Sequence, residues 1–237
     1  MRSTQVEIPP MLRTLRPERE GELVAFDADG VLWPGDMGED FIEWLLDEGA
    51  LDARAAWADY RGRYPANDPQ GCLVLASFYA GMTPSRLRTQ VERFWQQRPP
   101  PLDERTTGVM TRLHDAGFEV CVVSGTVRAL LLPVLQILPV QHLLALELAV
   151  DSPGVYTGAA IGTATFGEGK ARALRAVAGS RPVRVAVGNS GLDIAMLELA
   201  SDLAWAYQPD AALRAAAEAH GWTITETEPL EPPDNLG

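Results

Sequence analysis

Two aspartates one residue apart, Asp27 and Asp29, stand where the apolar run Leu23-Val24-Ala25-Phe26 stops, and Gly30 follows. Carboxylates this close resist ionising together unless a cation or a shared proton relieves the repulsion. The pair points to a metal site or to a nucleophile beside an acid/base; the plain alternative is an Asp-Gly turn that ends a strand. Three later stretches could join it: Ser124-Gly125-Thr126, Lys170 after Gly167-Glu168-Gly169, and Gly188-Asn189-Ser190-Gly191-Leu192-Asp193. Together they would supply two aspartates, a hydroxyl with backbone donors, an ammonium and an Asn/Asp pair. That set suits phosphoryl transfer. A carboxylate can attack phosphorus. Mg²⁺ takes oxygen ligands and offsets the repulsion between carboxylate and phosphate. A lysine and a hydroxyl then stabilise charge on the transferring oxygens.

These stretches can meet only if the elements before them are parallel strands, whose carboxyl ends share one sheet edge. The pattern fits. A strand is expected over 22–27, a second over Phe118–Val123, a third over Leu143–Leu148, and others over Val183–Val187, Leu203–Tyr207 and Trp222–Thr225. Helices are expected over Leu102–Ala116, Val127–Leu138, Glu168–Ala178, Leu192–Ala200 and Ala211–His220, and a Pro-Gly hairpin turn over 150–158. Strand–helix alternation of this kind predicts an α/β fold with a doubly wound parallel sheet.

Between Asp36 and about Trp95 the character changes. Phe41, Trp44, Leu45 and Glu48 fall at helical spacing, as do Trp57, Tyr60 and Arg61; Arg63–Gly71 reads as a break, and Thr83-Pro84-Ser85 as a helix start. Pro99-Pro100-Pro101 closes this helical insert as a stiff linker. The division expected is a Rossmann-like core of residues 1–35 and 99–237 with a helical cap over 36–98. Residues 1–20 read as a loose lead-in and 226–237 as a disordered acidic, Pro-rich tail.

Composition narrows the partners. The 237 residues are 46% hydrophobic and 22% charged, enough for a substantial core. With 32 acidic against 20 basic residues the net charge is −12, which disfavours nucleic acid and anionic membranes. Cys72 and Cys121 are the only cysteines and form no CxxC or Cys/His cluster, so neither zinc nor a disulfide framework is expected. His114, His142 and His220 fall near element ends without evident partners and read as structural. Met1–Glu22 lacks a signal-like apolar core, and the longest apolar stretch, Ala129–Val150, is broken by Pro133 and Pro139. A cytoplasmic monomer or homodimer is expected.

Phe26-Asp27-Ala28-Asp29-Gly30-Val31-Leu32, Ser124-Gly125-Thr126, Lys170 and Gly188-Asn189-Ser190-Gly191-Leu192-Asp193 resemble, in order and spacing, the four motifs of the haloacid dehalogenase-like hydrolase superfamily. The insert resembles the cap of its phosphoserine phosphatase-like branch. The resemblance covers about residues 22–226 and implies roles position by position. Asp27 would be the nucleophile that forms an aspartyl-phosphate. Asp29 would protonate the leaving group and then activate water. Ser124 and Gly125 would bind the phosphate, and Lys170 would pair with nucleophile and phosphate. Asp27, the Asp29 backbone carbonyl and Asn189 would hold Mg²⁺, with Asp193 nearby through water. The family's usual acidic residue is Asn189 here, an oxygen donor without charge, which implies weaker metal binding. Asp36 falls where phosphoserine phosphatases carry a glutamate that reads the substrate amine, whereas Leu75 falls where their carboxylate-reading arginine stands. The substrate implied is a small phosphomonoester with an amine or quaternary ammonium group, such as phosphoethanolamine or phosphocholine, held by Asp36 and aromatic faces of the insert.

The alternatives are a phosphotransferase or mutase using the same intermediate, and a catalytically silent binding module, favoured only by Asn189. A dinucleotide-binding dehydrogenase lacks support, since no G-x-G-x-x-G follows the first strand.

Overall fold

A computed structural model describes residues 8–65 and 67–226. The chain runs β1 (Leu23–Phe26), then four helices α1 (Met37–Asp47), α2 (Arg54–Arg63), α3 (Pro69–Ser77) and α4 (Pro84–Gln97), then α5 (Glu104–Asp115) and β2 (Glu119–Val127). Short α6 (Arg128–Leu131) and α7 (Val134–Ile137) lead to β3 (His142–Val150) and β4 (Tyr156–Ile161). The rest is α8 (Glu168–Ala178), β5 (Val183–Gly188), α9 (Ile194–Leu197), β6 (Ala200–Tyr207), α10 (Ala211–His220) and β7 (Thr223–Thr225).

The seven strands lie in the order β4-β3-β2-β1-β5-β6-β7. All neighbours are parallel except β3 and β4, which form an antiparallel hairpin at one edge. The doubly wound parallel sheet read from the sequence is therefore borne out, with that edge pair as its exception. β1 sits between β2 and β5, where the chain order reverses, and the crevice at such a point is where α/β sheets bind ligands.

Side-chain alternation explains the layering. Leu23 and Ala25 of β1 face an apolar cluster with Leu174, Met196 and Leu213 of α8, α9 and α10. Val24 and Phe26 face the opposite cluster, which holds Val109 and Leu113 of α5 and continues into Phe41, Trp44, Tyr79 and Phe94 of the insert. Asp36 and Thr83 cap α1 and α4 by accepting from the Glu39 and Arg86 backbone N–H groups. Among the described residues no helix is long and apolar enough to cross a membrane.

Several expected boundaries need correction. Residues 127–138 are two short helices, because Pro133 has no N–H to donate and its ring clashes with the preceding turn. The break before α3 ends at Asp68, which caps a helix opening on Pro69. The helix expected over Leu192–Ala200 stops at Leu197, and Ala200 already belongs to β6. Residues 10–13 form a 3₁₀ turn that buries Leu12, so that part of the lead-in is packed. Residues 1–7 and 227–237 lie outside the described residues. The histidines have partners after all: His142 Nε2 is 2.8 Å from Glu119 Oε2, His220 Nδ1 2.9 Å from Ala216 O and His114 Nδ1 3.4 Å from Asp115 Oδ1.

Candidate active site

Asp27 follows β1 directly, and its backbone N–H extends the ladder by donating to Val187 O of β5. Its Oδ1 accepts from the Ala28 N–H at 2.8 Å and meets Lys170 Nζ at 2.6 Å. Oδ2 is left open to the pocket, since no buried side-chain polar atom among the described residues lacks a partner. Lys170 projects from the first turn of α8, and its Nζ also reaches Asp193 Oδ1 at 2.5 Å. Asp193 is fully buried; its Oδ2 accepts from the backbone N–H groups of Asn189 and Ser190, both at 3.0 Å, and from Ser190 Oγ. Gly188 is required beneath this loop, because a Cβ there would overlap the Asp193 side chain.

Ser124, Gly125 and Thr126 arrive by a different route from the loop expected. They remain within β2, but between the pairs Val123↔Leu144 and Val127↔Leu146 four residues of β2 advance against two of β3. The surplus bulges towards the crevice, a common way for a strand to re-aim side chains beside a site. Thr165 Oγ1 fastens the bulge by donating to Ser124 O at 2.5 Å. Ser124 itself is enclosed, and its hydroxyl accepts from the Thr126 N–H at 3.0 Å. Gly125 and Thr126 line the pocket.

Asp29 is half-buried beside them. Its Oδ1 accepts from Trp33 Nε1 at 2.8 Å and from the Met37 N–H at 2.9 Å, and its Oδ2 from Thr126 Oγ1 at 2.6 Å. Gly30 takes φ +73°, and a Cβ there would overlap the Asn189 amide, so the first and last loops touch through this glycine. Asp36 lines the same pocket while capping α1. The pocket thus brings together Asp27, Asp29, Asp36, Gly125, Lys170 and Asn189, with Ser124 and Asp193 behind its wall. Thr126, Phe166 and Asn67 also line it and were not singled out from the sequence; Thr126 was visible only as the third residue of Ser-Gly-Thr.

The electrostatics are lopsided. Burial, then the Asp193 carboxylate, push Asp27 well above the usual carboxylate range, and Lys170 only partly opposes them. Burial and Asp29 push Asp36 up to about 7, opposed by the backbone N–H groups of Glu39 and Gly38. Lys170 would lose affinity for its proton through burial, but Asp193 and Asp27 override this and hold it above the ordinary lysine value. Among the described lining residues Lys170 is the one ammonium beside four aspartates, and of these it contacts only Asp27 and Asp193.

A hard divalent cation would suit that imbalance, and Asp27, Asp29 and Asn189 carry oxygen atoms that could hold one. Among the described residues no three carboxylates, imidazoles or thiols form a chelating group by themselves. Lys170 stands between Asp27 and Asp193 and contacts both carboxylates.

A family profile described as haloacid dehalogenase-like hydrolase matches residues 24–198. A histidinol-phosphatase of Neisseria meningitidis serogroup C (strain 8013) is 26% identical over 217 residues, covering 85% of this chain and 97% of its own. A Bordetella pertussis Tohama I protein of unknown function has a structure that is 26% identical, covers 87% of this chain and 99% of its own, and superposes with a TM-score of 0.74. A phosphoserine phosphatase solved as a phospho-aspartyl intermediate analogue shares the fold at 19% identity and a TM-score of 0.64, covering 90% of this chain and 96% of its own.

Proposed function

Because the chain belongs to the haloacid dehalogenase-like hydrolase family, we propose that it is a Mg²⁺-dependent phosphatase acting on a small phosphomonoester of an amino alcohol. Residues 36–98 serve as a cap over the catalytic core. The observation that carries the reading is the Asp27–Lys170–Asp193 arrangement, in which one carboxylate oxygen is neutralised and the other opens to the pocket.

Asp27 Oδ2 attacks phosphorus, and an aspartyl-phosphate forms as the ester P–O bond breaks. Lys170 keeps its proton and orients Asp27. Asp29 protonates the departing alkoxide and then takes a proton from the water that cleaves the acyl phosphate. Gly125 of the bulge bears on the phosphate oxygens, and the enclosed Ser124 hydroxyl supports the bulge from behind by accepting from the Thr126 N–H. Mg²⁺, held by Asp27, the Asp29 carbonyl and Asn189, with Asp193 beyond Lys170, would reduce the repulsion between the nucleophile and the phosphate dianion.

The alcohol portion meets Asp36, Leu75, Tyr79 and Phe166. A carboxylate and aromatic walls suit an ammonium group. Among the described residues that line the pocket Lys170 is the only cation, so among them nothing equivalent stands ready for a substrate carboxylate. The Neisserial relative is named for histidinol, whose phosphate ester carries an amine and no carboxylate, which supports the same class.

The test is a phosphomonoester panel with Mg²⁺ on wild type, Asp27→Asn and Asp36→Asn. Histidinol phosphate and phosphoethanolamine should exceed phosphoserine and glycerol phosphate in kcat/KM. Asp36→Asn should erase that preference while leaving glycerol phosphate turnover unchanged, and Asp27→Asn should abolish all turnover. A preference that survives Asp36→Asn would remove the amine reading.

A further inference from the structure

The two oxygens of Asp29 have partners of different kinds. Oδ1 accepts from the Trp33 indole N–H at 2.8 Å and the Met37 backbone N–H at 2.9 Å; Oδ2 accepts from the Thr126 hydroxyl at 2.6 Å, with Ser124 Oγ 3.5 Å away. Indole and amide N–H groups only donate, whereas a hydroxyl both donates and accepts. Two fixed donors therefore hold Oδ1 as an acceptor whether Asp29 is protonated or not. A proton on Oδ1 would collide with both. The oxygen facing Thr126 carries no such constraint, because that hydroxyl can turn and accept.

We infer that Asp29 gives and takes its proton through Oδ2, and that Thr126 is the positioning residue that keeps this oxygen in place. The inference rests on the reading of Asp29 as the acid/base of the proposed reaction. In the first half-reaction the proton on Oδ2 passes to the ester oxygen, which receives the electron pair of the breaking P–O bond while the Asp27–phosphorus bond forms. In the second, Oδ2 takes a proton from water as the water oxygen bonds to phosphorus and the Asp27–phosphorus bond breaks. Thr126 donates to Oδ2 when the carboxylate is ionised and turns to accept when it is protonated. Neither Trp33 nor Met37 can make that exchange. Trp33 and Met37 set the orientation of the carboxyl group, and Met37 ties it to the start of α1.

Thr126→Val removes the hydroxyl and keeps the volume; Thr126→Ser keeps the hydroxyl. Each is compared with wild type on an alkyl phosphomonoester, whose leaving group needs a proton, and on nitrophenyl phosphate, whose leaving group does not. Thr126→Val should lower kcat/KM on the alkyl ester by about tenfold or more, with a much smaller loss on the nitrophenyl ester, and Thr126→Ser should recover most of the alkyl activity. Equal losses on both esters, no loss on either, or no rescue by serine would overturn the assignment. Asp29→Asn is the control. If it too lacks leaving-group dependence, the acid/base reading of Asp29 fails along with the inference; if it shows the dependence and Thr126→Val does not, the inference alone fails.

Discussion

Lys170 Nζ lies 2.5 Å from Asp193 Oδ1, with both side chains shut off from solvent, and the other oxygen of that carboxylate gathers the backbone of Asn189 and Ser190. One ammonium thereby fastens α8 to the loop after β5 while also holding Asp27. Lys170→Met leaves Asp27 and Asp193 facing each other without a cation. Removing one partner of a buried ion pair costs about 3–5 kcal/mol. Urea unfolding should register a loss of that order, and turnover should vanish. An unchanged midpoint would contradict the ion-pair account.

Asp27→Asn should separate activity from stability. Burial and Asp193 disfavour the Asp27 charge, so the ionised group is a liability to the metal-free fold. A neutral amide of the same shape relieves it. Thermal unfolding without Mg²⁺ should give a Tm equal to or above that of wild type, even though turnover is lost. A marked fall in Tm would mean that Asp27 matters more to the Lys170 cluster than its electrostatics indicate.

Much of this site was legible in the sequence. Asp27, Lys170 and Asp193 could be read because each follows or opens an element whose apolar pattern is clear, and parallel strands leave their ends together. The Asn67 and Phe166 contributions were hidden, since both come from irregular segments with no period to fix their direction. Thr126 was hidden for another reason: its aim depends on a bulge against β3, which only strand register reveals. The same holds for His142 and Glu119, neighbours across β2 and β3 and far apart in sequence. Pro133, by contrast, was a readable helix breaker.

Gly30 joins the first and last loops. At φ +73° an alanine costs about 1–2 kcal/mol of backbone strain, and its Cβ would displace the Asn189 amide. Gly30→Ala should raise the Mg²⁺ concentration needed for half-maximal activity and weaken Mg²⁺-induced thermal stabilisation together. Asn189→Asp, which adds a charge at the same place, should move both in the opposite direction. If Gly30→Ala leaves the Mg²⁺ response untouched, Asn189 is not part of the cation's surroundings.

An ion-pair cluster at the opposite end of the sheet should add to stability against acid. Arg184, at the start of β5, reaches Asp202 at 2.6 Å and Glu22 at 2.5 Å. The hydrogen bonds from Arg184 hold the Asp202 carboxyl below the usual carboxylate range. A group whose pKa is lower folded than unfolded adds stability above its unfolded value, near pH 4, and loses it as pH falls through the folded value. Asp202→Asn should therefore cost roughly 1–2 kcal/mol at neutral pH, at the lower end for a charged hydrogen bond because a fifth of the side chain stays in solvent. The gap from wild type should narrow as pH drops below 4, and activity at neutral pH should be unaffected because Asp202 lies at the far end of the strands from Asp27. Urea unfolding between pH 2.5 and 7 would check it: a gap that stays constant across that range would mean that the Asp202 charge contributes nothing.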